Sequence, residues 1–505
     1  MKISTNSLVK SKISACLLTS IILFCATPAQ ADVKLNSLFT DNMVLQRGIP
    51  AKVFGKANDG EKVTVTINGQ TATSTATNGE WLVKLKPMKA GGPFNMTVKG
   101  KNTVTIKNVM LGDVWVCAGQ SNMDYDLGKF LSPKLGDVAK KYAKIIDTSV
   151  NDKVRIALIA KHFPRTVVEE VKIEDSFSKS WQAPSVEITP LTSAVGYVFA
   201  KNLSVHLNVP IGLIDSNKGG TAVETWMTNN SKKALGAKVG KSGYNGMIAP
   251  LHKFAIKGVI WYQGENNART IQSSLAYAKN FKIMITDWRK AWGLGDFPFL
   301  YVQLAGYAKT KGTNAPVTWP FLRESQTKAL ELANTAMALA LDKGVEFNIH
   351  PHHKIAVSER LVLCARKLAY GEDIVYSGPQ YKSHEIKGNS VVISFDHAGS
   401  GLTAKDTLWD KELVKANVLK GFTICGADKE FVAAYAFVKG DTIVVSAKTV
   451  AMPLAVRYAW DGFPRSNFAN KEGLPAVPFR TDNFNDAGSV ISAKKKGKSK
   501  SKRKK

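Results

Sequence analysis

The sequence has little cysteine, and its cysteines are widely spaced. Five occur in 505 residues, and no two of them have the spacing of metal ligands. Cys16 and Cys25 lie in a leader-like segment, which leaves Cys117, Cys364 and Cys425 for the rest of the chain. Three distant cysteines allow at most one bridge, so a disulfide framework is excluded. No metal and no organic cofactor is implied.

Long hydrophobic runs are also missing. After residue 31 no segment approaches the about 18 uninterrupted apolar residues of a membrane span, so none is expected. The composition, 44% hydrophobic and 22% charged, is that of ordinary globular proteins, which sets aside disordered and fibrous classes. The chain is too long for one compact core, so two or three domains are expected.

Acidic residues are outnumbered, 40 against 69 basic ones, and the formal net charge is +29. Nine of the twelve residues of 494–505 are Lys or Arg and none is acidic. Residues 489–505 therefore predict a disordered basic tail. It is either a solvated tail or a weak attachment to an anionic polysaccharide or surface.

The first 31 residues predict a secretory signal peptide. Lys2, Lys10 and Lys12 give a positive start, 13–24 is a short apolar stretch, and 29–31 is a small-x-small cleavage site. The alternative is a buried N-terminal helix. Export implies a secreted or periplasmic protein, and it makes a nucleic-acid partner a poor fit.

Short alternating strands fill 32–108, where Asn-Gly turns fall at 68–69 and 78–79. This pattern predicts a β-sandwich-like domain. A strand pattern returns at 373–488 and predicts a second β domain there.

Between these β regions, over 109–372, apolar strands alternate with helices. The clearest helix carries an apolar stripe from Val357 to Leu368 and ends at Gly371. Alternation of this kind predicts an α/β domain with a parallel sheet, whose active site lies at the carboxyl ends of the strands. The strand candidates are 114–117, 211–214, 259–262, 299–302 and 336–341.

Two segments that follow predicted strands have residues that would let a ligand come close to the backbone. In 119–123 a glycine is followed by Gln120 and Ser121, so a strand-to-helix turn would expose the serine hydroxyl beside free N–H groups. In 219–221 two glycines allow the backbone to approach a ligand. Taken alone, Ser121 is better explained by a helix cap, and 219–221 by a plain turn.

Polar side chains follow the strand candidate at 259–262. Gln263, Glu265 and Asn267 either cap a loop or line a pocket, because buried polar groups must be satisfied. The Asn267 amide is a candidate donor to an oxyanion. Gln120 and Trp226 complete the set of possible pocket residues.

A histidine cluster precedes the long helix. His350 would present an imidazole to the same sheet edge, and His352 and His353 stand beside it. The residues alone do not choose among the three histidines.

Together these segments resemble the sialate O-acetylesterase family, a branch of the SGNH hydrolases. Its Gly-Gln-Ser-Asn-Met, Gly-Gly-Thr and Trp-Tyr-Gln-Gly-Glu-x-Asn blocks match 119–123, 219–221 and 261–267. Its Asp-Ile-His-Pro block matches 348–351 in three of four positions. The likeness runs over 35–484 and implies a three-layer α/β/α domain flanked by β domains. Flanking stretches match at 39–46, 244–251, 286–289 and 470–475.

The resemblance implies an acetyl-ester hydrolase with a serine nucleophile. Ser121 would attack the acetyl carbonyl and His350 would take its proton. An oxyanion hole would consist of the Ser121 and Gly220 N–H groups and the Asn267 amide. The substrate implied is an acetylated sugar.

Two positions depart from the family pattern. Asn266 stands where serine is usual, and Asn348 stands where the family has the aspartate that orients the histidine. Three alternatives follow for the missing aspartate. Asn348 orients His350 through its own amide oxygen, or a nearby carboxylate, Asp342 or Glu346, takes over the role of the aspartate. In the third alternative the enzyme is weak or inactive. Three functions therefore stay open: a sialate O-acetylesterase, an esterase of acetylxylan or another glycan, and an inactive glycan-binding protein.

Overall fold

The structure, a computed structural model, describes residues 32–151, 153–309, 317–405 and 418–484. The predicted signal peptide at 1–31 and the predicted basic tail at 489–505 lie outside the described residues. In the described ranges, no helix has the length and apolar character needed to cross a membrane.

The strands are numbered in chain order. They are β1 Lys34–Leu35, β2 Val44–Gln46, β3 Ala51–Lys56, β4 Lys62–Ile67, β5 Gln70–Thr75, β6 Glu80–Leu85, β7 Gly91–Lys99, β8 Thr103–Gly119, β9 Val154–Leu158, β10 Ile211–Asn217, β11 Gly258–Tyr262, β12 Phe299–Gln303, β13 Thr335–Leu339, β14 Gln380–Lys387, β15 Ser390–Asp396, β16 Leu402–Ala404, β17 Val418–Leu419, β18 Phe422–Cys425, β19 Val432–Ala433, β20 Tyr435–Lys439, β21 Thr442–Ser446, β22 Ala455–Tyr458, β23 Phe468–Asn470 and β24 Phe479–Arg480.

The helices are numbered in the same way, and short 3₁₀ turns connect several of them. They are α1 Ser121–Asp124, α2 Asp137–Asp147, α3 Ala194–Leu207, α4 Asn229–Ala234, α5 Ile271–Trp292, α6 Trp319–Thr327 and α7 Lys354–Tyr370.

The central sheet contains six parallel strands in the order β9-β10-β8-β11-β12-β13. This arrangement confirms the predicted α/β fold with a parallel sheet. The strands are buried along most of their length, as expected where helices cover both faces.

Side-chain direction along the strands shows that the two faces carry different helices. Trp115 of β8 packs edge-on against Phe199 of α3, with ring centroids 5.1 Å apart. Ala118 points to the other face and is the register partner of Trp261, whose ring lies 5.9 Å from that of Trp288 in α5. Because residues alternate in direction along a strand, α3 and α5 lie on opposite faces.

The strand β8 joins the N-terminal sheet to the parallel sheet. Its first part pairs antiparallel with β7, and its last seven residues pair parallel with β10. Asn108 within it has a left-handed backbone, with φ of 55°, where the register with β7 shifts between Ile106 and Val109. The predicted boundary between 108 and 109 thus falls inside one continuous strand, and the division into domains stays a prediction.

The outer β regions are antiparallel, apart from β2, which pairs parallel with β8. The β4–β5 hairpin turns at Asn68-Gly69, where both residues have positive φ, which confirms that predicted turn. In the C-terminal region β14, β15, β21, β20 and β17 form one sheet over a second hydrophobic core.

Candidate active site

Ser121 begins α1 directly after β8, at the carboxyl edge of the parallel sheet. Gly119 makes the turn with φ of 144°, and a Cβ there would lie 2.2 Å from the Tyr262 carbonyl oxygen. The next N–H, from Gln120, donates to that same oxygen at 2.9 Å. Only glycine fits this turn, and it leaves Ser121 half-buried at a helix start.

The 219–221 loop after β10 packs against α1. A Cβ on Gly219 would lie 3.4 Å from the Cβ of Ser121. The Gly219 N–H donates to Asp124 Oδ2 at 2.9 Å, and Asp124 Oδ1 lies 3.0 Å from Lys161 Nζ. Asp124 therefore joins the glycine loop to the serine helix. Gly220 has a φ of 73° and open space beside it.

A buried glutamine connects three of the predicted segments. Gln263 Nε2 donates to Gln120 Oε1 at 3.1 Å, to the Thr221 carbonyl at 3.1 Å and to Asn267 Oδ1 at 2.8 Å. The Asn266 N–H also donates to Gln120 Oε1, at 3.2 Å. The ends of β8, β10 and β11 are thus fixed to one another by amide hydrogen bonds.

Asn267 is oriented by groups on both sides of its amide. Its Oδ1 accepts from the Val223 N–H at 2.9 Å, and its Nδ2 donates to Glu224 Oε2 at 3.0 Å. Glu224 also accepts from Asn280 Nδ2 at 2.8 Å. Glu224 is not among the predicted site residues, because it follows the glycine block by three residues and carries no motif of its own.

Four possible pocket residues lie beneath the surface. Trp226 is 0% exposed, and its Nε1 donates to Thr221 Oγ1 at 3.0 Å. Gln120, Gln263 and Glu265 are buried as well. These side chains support the loops of the site, and their contact with a substrate stays a prediction.

The ring of His350 packs on the residue that follows the serine helix. It stacks on the Tyr125 ring with centroids 4.6 Å apart, and the Tyr125 N–H donates to the Ser121 carbonyl at 2.9 Å. Burial, with the positive charges of Lys354 and Lys129, lowers the pKa of His350 to about 4. At neutral pH the imidazole is therefore uncharged, which is the form that accepts a proton.

The three candidates for orienting His350 are placed differently. Asn348 is exposed, and its Oδ1 accepts from the His350 backbone N–H at 2.9 Å. Asp342 is buried against Arg360, with oxygens 2.6 and 2.8 Å from the guanidinium. Burial alone would raise the pKa of Asp342, but Arg360 holds it well below its usual range.

Glu346, the third candidate, lies 4.0 Å from Arg465. Its backbone carbonyl accepts from the Ala308 N–H at 2.7 Å. Which of the three groups orients the ring stays a prediction.

The other two histidines of the cluster have different neighbours. The rings of His352 and His353 contact one another with centroids 4.2 Å apart, and the His352 carbonyl accepts from Tyr142 Oη at 2.9 Å. Of the three, His350 is the one stacked on the ring that follows α1. Within the described ranges, no group of three His, Cys, Asp or Glu side chains is arranged to hold a metal ion.

A serine at a strand-to-helix turn, an uncharged histidine and a doubly wound parallel sheet define a carboxylic ester hydrolase of the SGNH type. The family model described as "Carbohydrate esterase, sialic acid-specific acetylesterase" matches residues 111–362. The chain belongs to the sialate O-acetylesterase family, which confirms the family predicted from the motifs.

The relatives cover nearly the whole chain. Sialate O-acetylesterase of Homo sapiens is 30% identical over 92% of this chain and 95% of its own length. That of Rattus norvegicus is 30% identical over 87% of this chain and 93% of its own. A carbohydrate acetylesterase from Xanthomonas citri has a crystal structure with a TM-score of 0.80 and 35% identity, covering 90% of this chain and all of its own.

Proposed function

We propose that this protein removes O-acetyl groups from sugars through an acetyl-enzyme on Ser121. The observation that carries the proposal is the stacking of His350 on Tyr125, the residue that follows the helix beginning with Ser121. It brings an uncharged base to the sheet edge that carries the serine. The names of the relatives, sialate O-acetylesterase and carbohydrate acetylesterase, give the class of substrate.

In the first half-reaction Ser121 Oγ attacks the acetyl carbonyl carbon while its proton passes to His350. The bond between the acyl carbon and the sugar oxygen then breaks, and the imidazolium returns its proton to that oxygen. Deacetylated sugar leaves, and the acetyl group stays on Ser121.

In the second half-reaction water attacks the acetyl-enzyme. His350 accepts one proton of the water and gives it to Ser121 Oγ as acetic acid leaves, which then loses its own proton to solvent and becomes acetate. The free enzyme is then restored, with no net change in its protonation.

The negative oxygen of both intermediates needs three donors close to Ser121. The Ser121 N–H opens a helix and has no partner within it, so it is available to an oxyanion. The Gly220 N–H and the second hydrogen of Asn267 Nδ2 complete the hole. Loss of one such donor costs roughly 10²–10³ in rate.

The substrate is an acetylated sialic acid, or acetylated xylan or another glycan. We infer that the protein meets it outside the cytoplasm, because the start of the sequence has the features of a signal peptide. The basic tail at 489–505 would then add weak attraction to an anionic polysaccharide.

The second candidate is an inactive protein that binds glycans in the same cleft. The Asn348 position favours it, since a family member without the orienting aspartate is expected to hold its histidine less well. An intact serine, histidine and oxyanion asparagine favour the enzyme.

The two candidates differ in acetate release. Protein beginning at residue 32 is assayed on an aryl acetate, an O-acetylated sialic acid and acetylated xylan, beside Ser121→Ala. The proposal expects release that Ser121→Ala lacks, and the preferred glycan identifies the substrate. Equal acetate release by the wild type and Ser121→Ala would contradict the esterase proposal and would favour the glycan-binding candidate.

A further inference from the structure

A lysine is buried beneath the candidate active site. Lys354, the first residue of α7, is 1% exposed. Its Nζ donates to Asn122 Oδ1 and lies 5.1 Å from the centroid of the Tyr262 ring. A buried ammonium group is costly unless it is bonded and paired, so such a group implies a specific role or partner.

Asn122 connects that lysine to both halves of the site. It follows Ser121 directly and is 1% exposed. Its Nδ2 donates to Glu265 Oε1 and to the carbonyl of Ile349 at 3.0 Å. One amide therefore bonds the loop residue before His350 while it belongs to the helix of the nucleophile.

Glu265 supplies the opposite charge. It is 7% exposed, and its Oε2 has no hydrogen-bond partner among the described residues. Burial raises the pKa of Glu265, against the opposing effects of Asn122 and Lys354. Burial lowers the pKa of Lys354 to about 7, against the opposing effect of Glu265. Each ionised group is therefore stabilised by the other.

The far end of the histidine loop is fixed as well. Tyr142 Oη donates to the His352 carbonyl at 2.9 Å and accepts from the Lys354 N–H at 3.1 Å. Asn122 bonds the loop at Ile349, so His350 lies between two anchored points. Without the bond at Ile349, the loop would lose its anchor on the Ser121 side of His350 and keep only the one at His352.

We propose that Lys354, Asn122 and Glu265 form a buried relay that holds the His350 loop against the Ser121 helix. Lys354 is then a positioning residue of the deacetylation reaction, because it orients the amide that bonds the loop. The proposal rests on the proposed function. A misplacement of about 1 Å at the reacting groups can cost roughly 10²-fold in rate.

The charge of Lys354 also acts on the imidazole. Among the described residues, the Tyr125 ring stacks on His350, and the positive charges that lower its pKa are those of Lys354 and Lys129. Removal of one positive charge makes protonation of His350 easier. The acid limb of kcat/KM therefore moves to higher pH when Lys354 is neutralised, a change that a role in stability alone would not produce.

The test compares Lys354→Met with Lys367→Met. Both variants lose one positive charge from α7, but Lys367 pairs with exposed Asp373 away from the relay. We expect Lys354→Met to lower kcat by roughly 10²-fold, with KM little changed and the acid limb at higher pH. Lys367→Met keeps the wild-type kcat and acid limb.

A folding defect in Lys354→Met is addressed by the double variant Lys354→Met with Glu265→Gln, which leaves no unpaired buried charge. We expect it to fold and to remain slow, because the Asn122 amide has lost its lysine donor. Thermal unfolding of each variant is measured alongside the kinetics. Loss of folding in both variants would assign a structural role only and overturn the relay.

The outcomes separate the relay from the proposed function. Wild-type kcat and an unmoved acid limb in folded Lys354→Met would overturn the relay while Ser121→Ala remains inactive. Wild-type protein that releases no more acetate than Ser121→Ala would overturn the proposed function and the relay together.

Discussion

The side-chain oxygen of Asn348 accepts a hydrogen bond from the backbone N–H of His350, at 2.9 Å. At the position where the family has its orienting aspartate, the amide oxygen thus bonds the turn and not the imidazole. The ring is instead packed on Tyr125, and its loop is bonded at Ile349 by Asn122. Stacking and loop anchoring are therefore contacts of this histidine that do not depend on a carboxylate at 348.

The first prediction concerns Asn348→Asp. The carboxylate can accept the same N–H and adds a negative charge near the ring, so it stabilises the imidazolium that forms during acyl transfer. We expect kcat to rise, with the roughly 10⁴-fold effect known from serine proteases as the upper limit. The pKa of His350 also rises from about 4, which moves the acid limb to higher pH.

Asn348→Ala is the control for that experiment. It removes the bond to the turn without adding charge, so we expect kcat to fall. Equal rates for Asn348→Asp and wild type would show that the charge at this position has no part in the reaction.

The second prediction concerns Asp342. Because its carboxylate pairs with buried Arg360 and with Lys405 at 2.8 Å, we expect Asp342→Asn to lower the free energy of unfolding by about 3 kcal/mol. The pKa of Asp342 lies below its usual range in the folded protein. The contribution of its carboxylate to the free energy of unfolding is therefore complete above about pH 4 and is lost in stronger acid.

Kinetics of the same variant decide whether Asp342 orients the histidine. We expect the folded variant to keep kcat and the wild-type pH profile. A large loss of kcat in folded Asp342→Asn would instead make Asp342 the group that replaces the family's aspartate.

The third prediction concerns Tyr125, whose ring covers His350. Tyr125→Leu removes the stacked ring and exposes the imidazole, and burial is the main cause of its low pKa. The pKa then rises from about 4 toward its ordinary value near 6.5, so activity between these pH values falls as more imidazole is protonated. Tyr125→Phe keeps the ring and should keep the profile of kcat/KM against pH. An unmoved acid limb in Tyr125→Leu would contradict this role of the stack.

The fourth prediction concerns the turn before the serine. Gly119→Ala places a Cβ 2.2 Å from the Tyr262 carbonyl oxygen at a φ of 144°, so we expect a loss of about 3 kcal/mol in unfolding free energy together with loss of activity. Gly240→Ala is the control, since a Cβ there meets no atom within 4 Å. Chemical denaturation of both variants measures the difference, and equal stability would contradict it.

Local signals made much of the fold predictable. The Asn68-Gly69 turn depends on backbone conformations that these two residues favour, and the stripe from Val357 to Leu368 reports one buried helix face. Both features are set by neighbours in the sequence, so they can be predicted without knowledge of tertiary contacts.

What could not be predicted depends on distant contacts. Lys354 is one of 69 basic residues, and nothing near it in sequence shows that it is buried under Asn122, which is 232 residues away. The continuity of β8 could not be predicted for the same reason, because it pairs with β7 up to Leu111 and with β10 from Asp113, and these partners come from different parts of the chain. Trp226 stays a predicted pocket residue, and its edge-on packing against Trp261 is a further contact between distant residues that the sequence does not show.

The most direct measurement is acetyl transfer to Ser121 itself. Protein beginning at residue 32 is mixed with an aryl acetate, quenched in acid within one turnover, and digested for mass spectrometry beside Ser121→Ala. The proposed mechanism predicts one added acetyl group on the peptide containing Ser121 and none in the variant. Acetate release without acetylation of that peptide, at equal rates in both proteins, would contradict it.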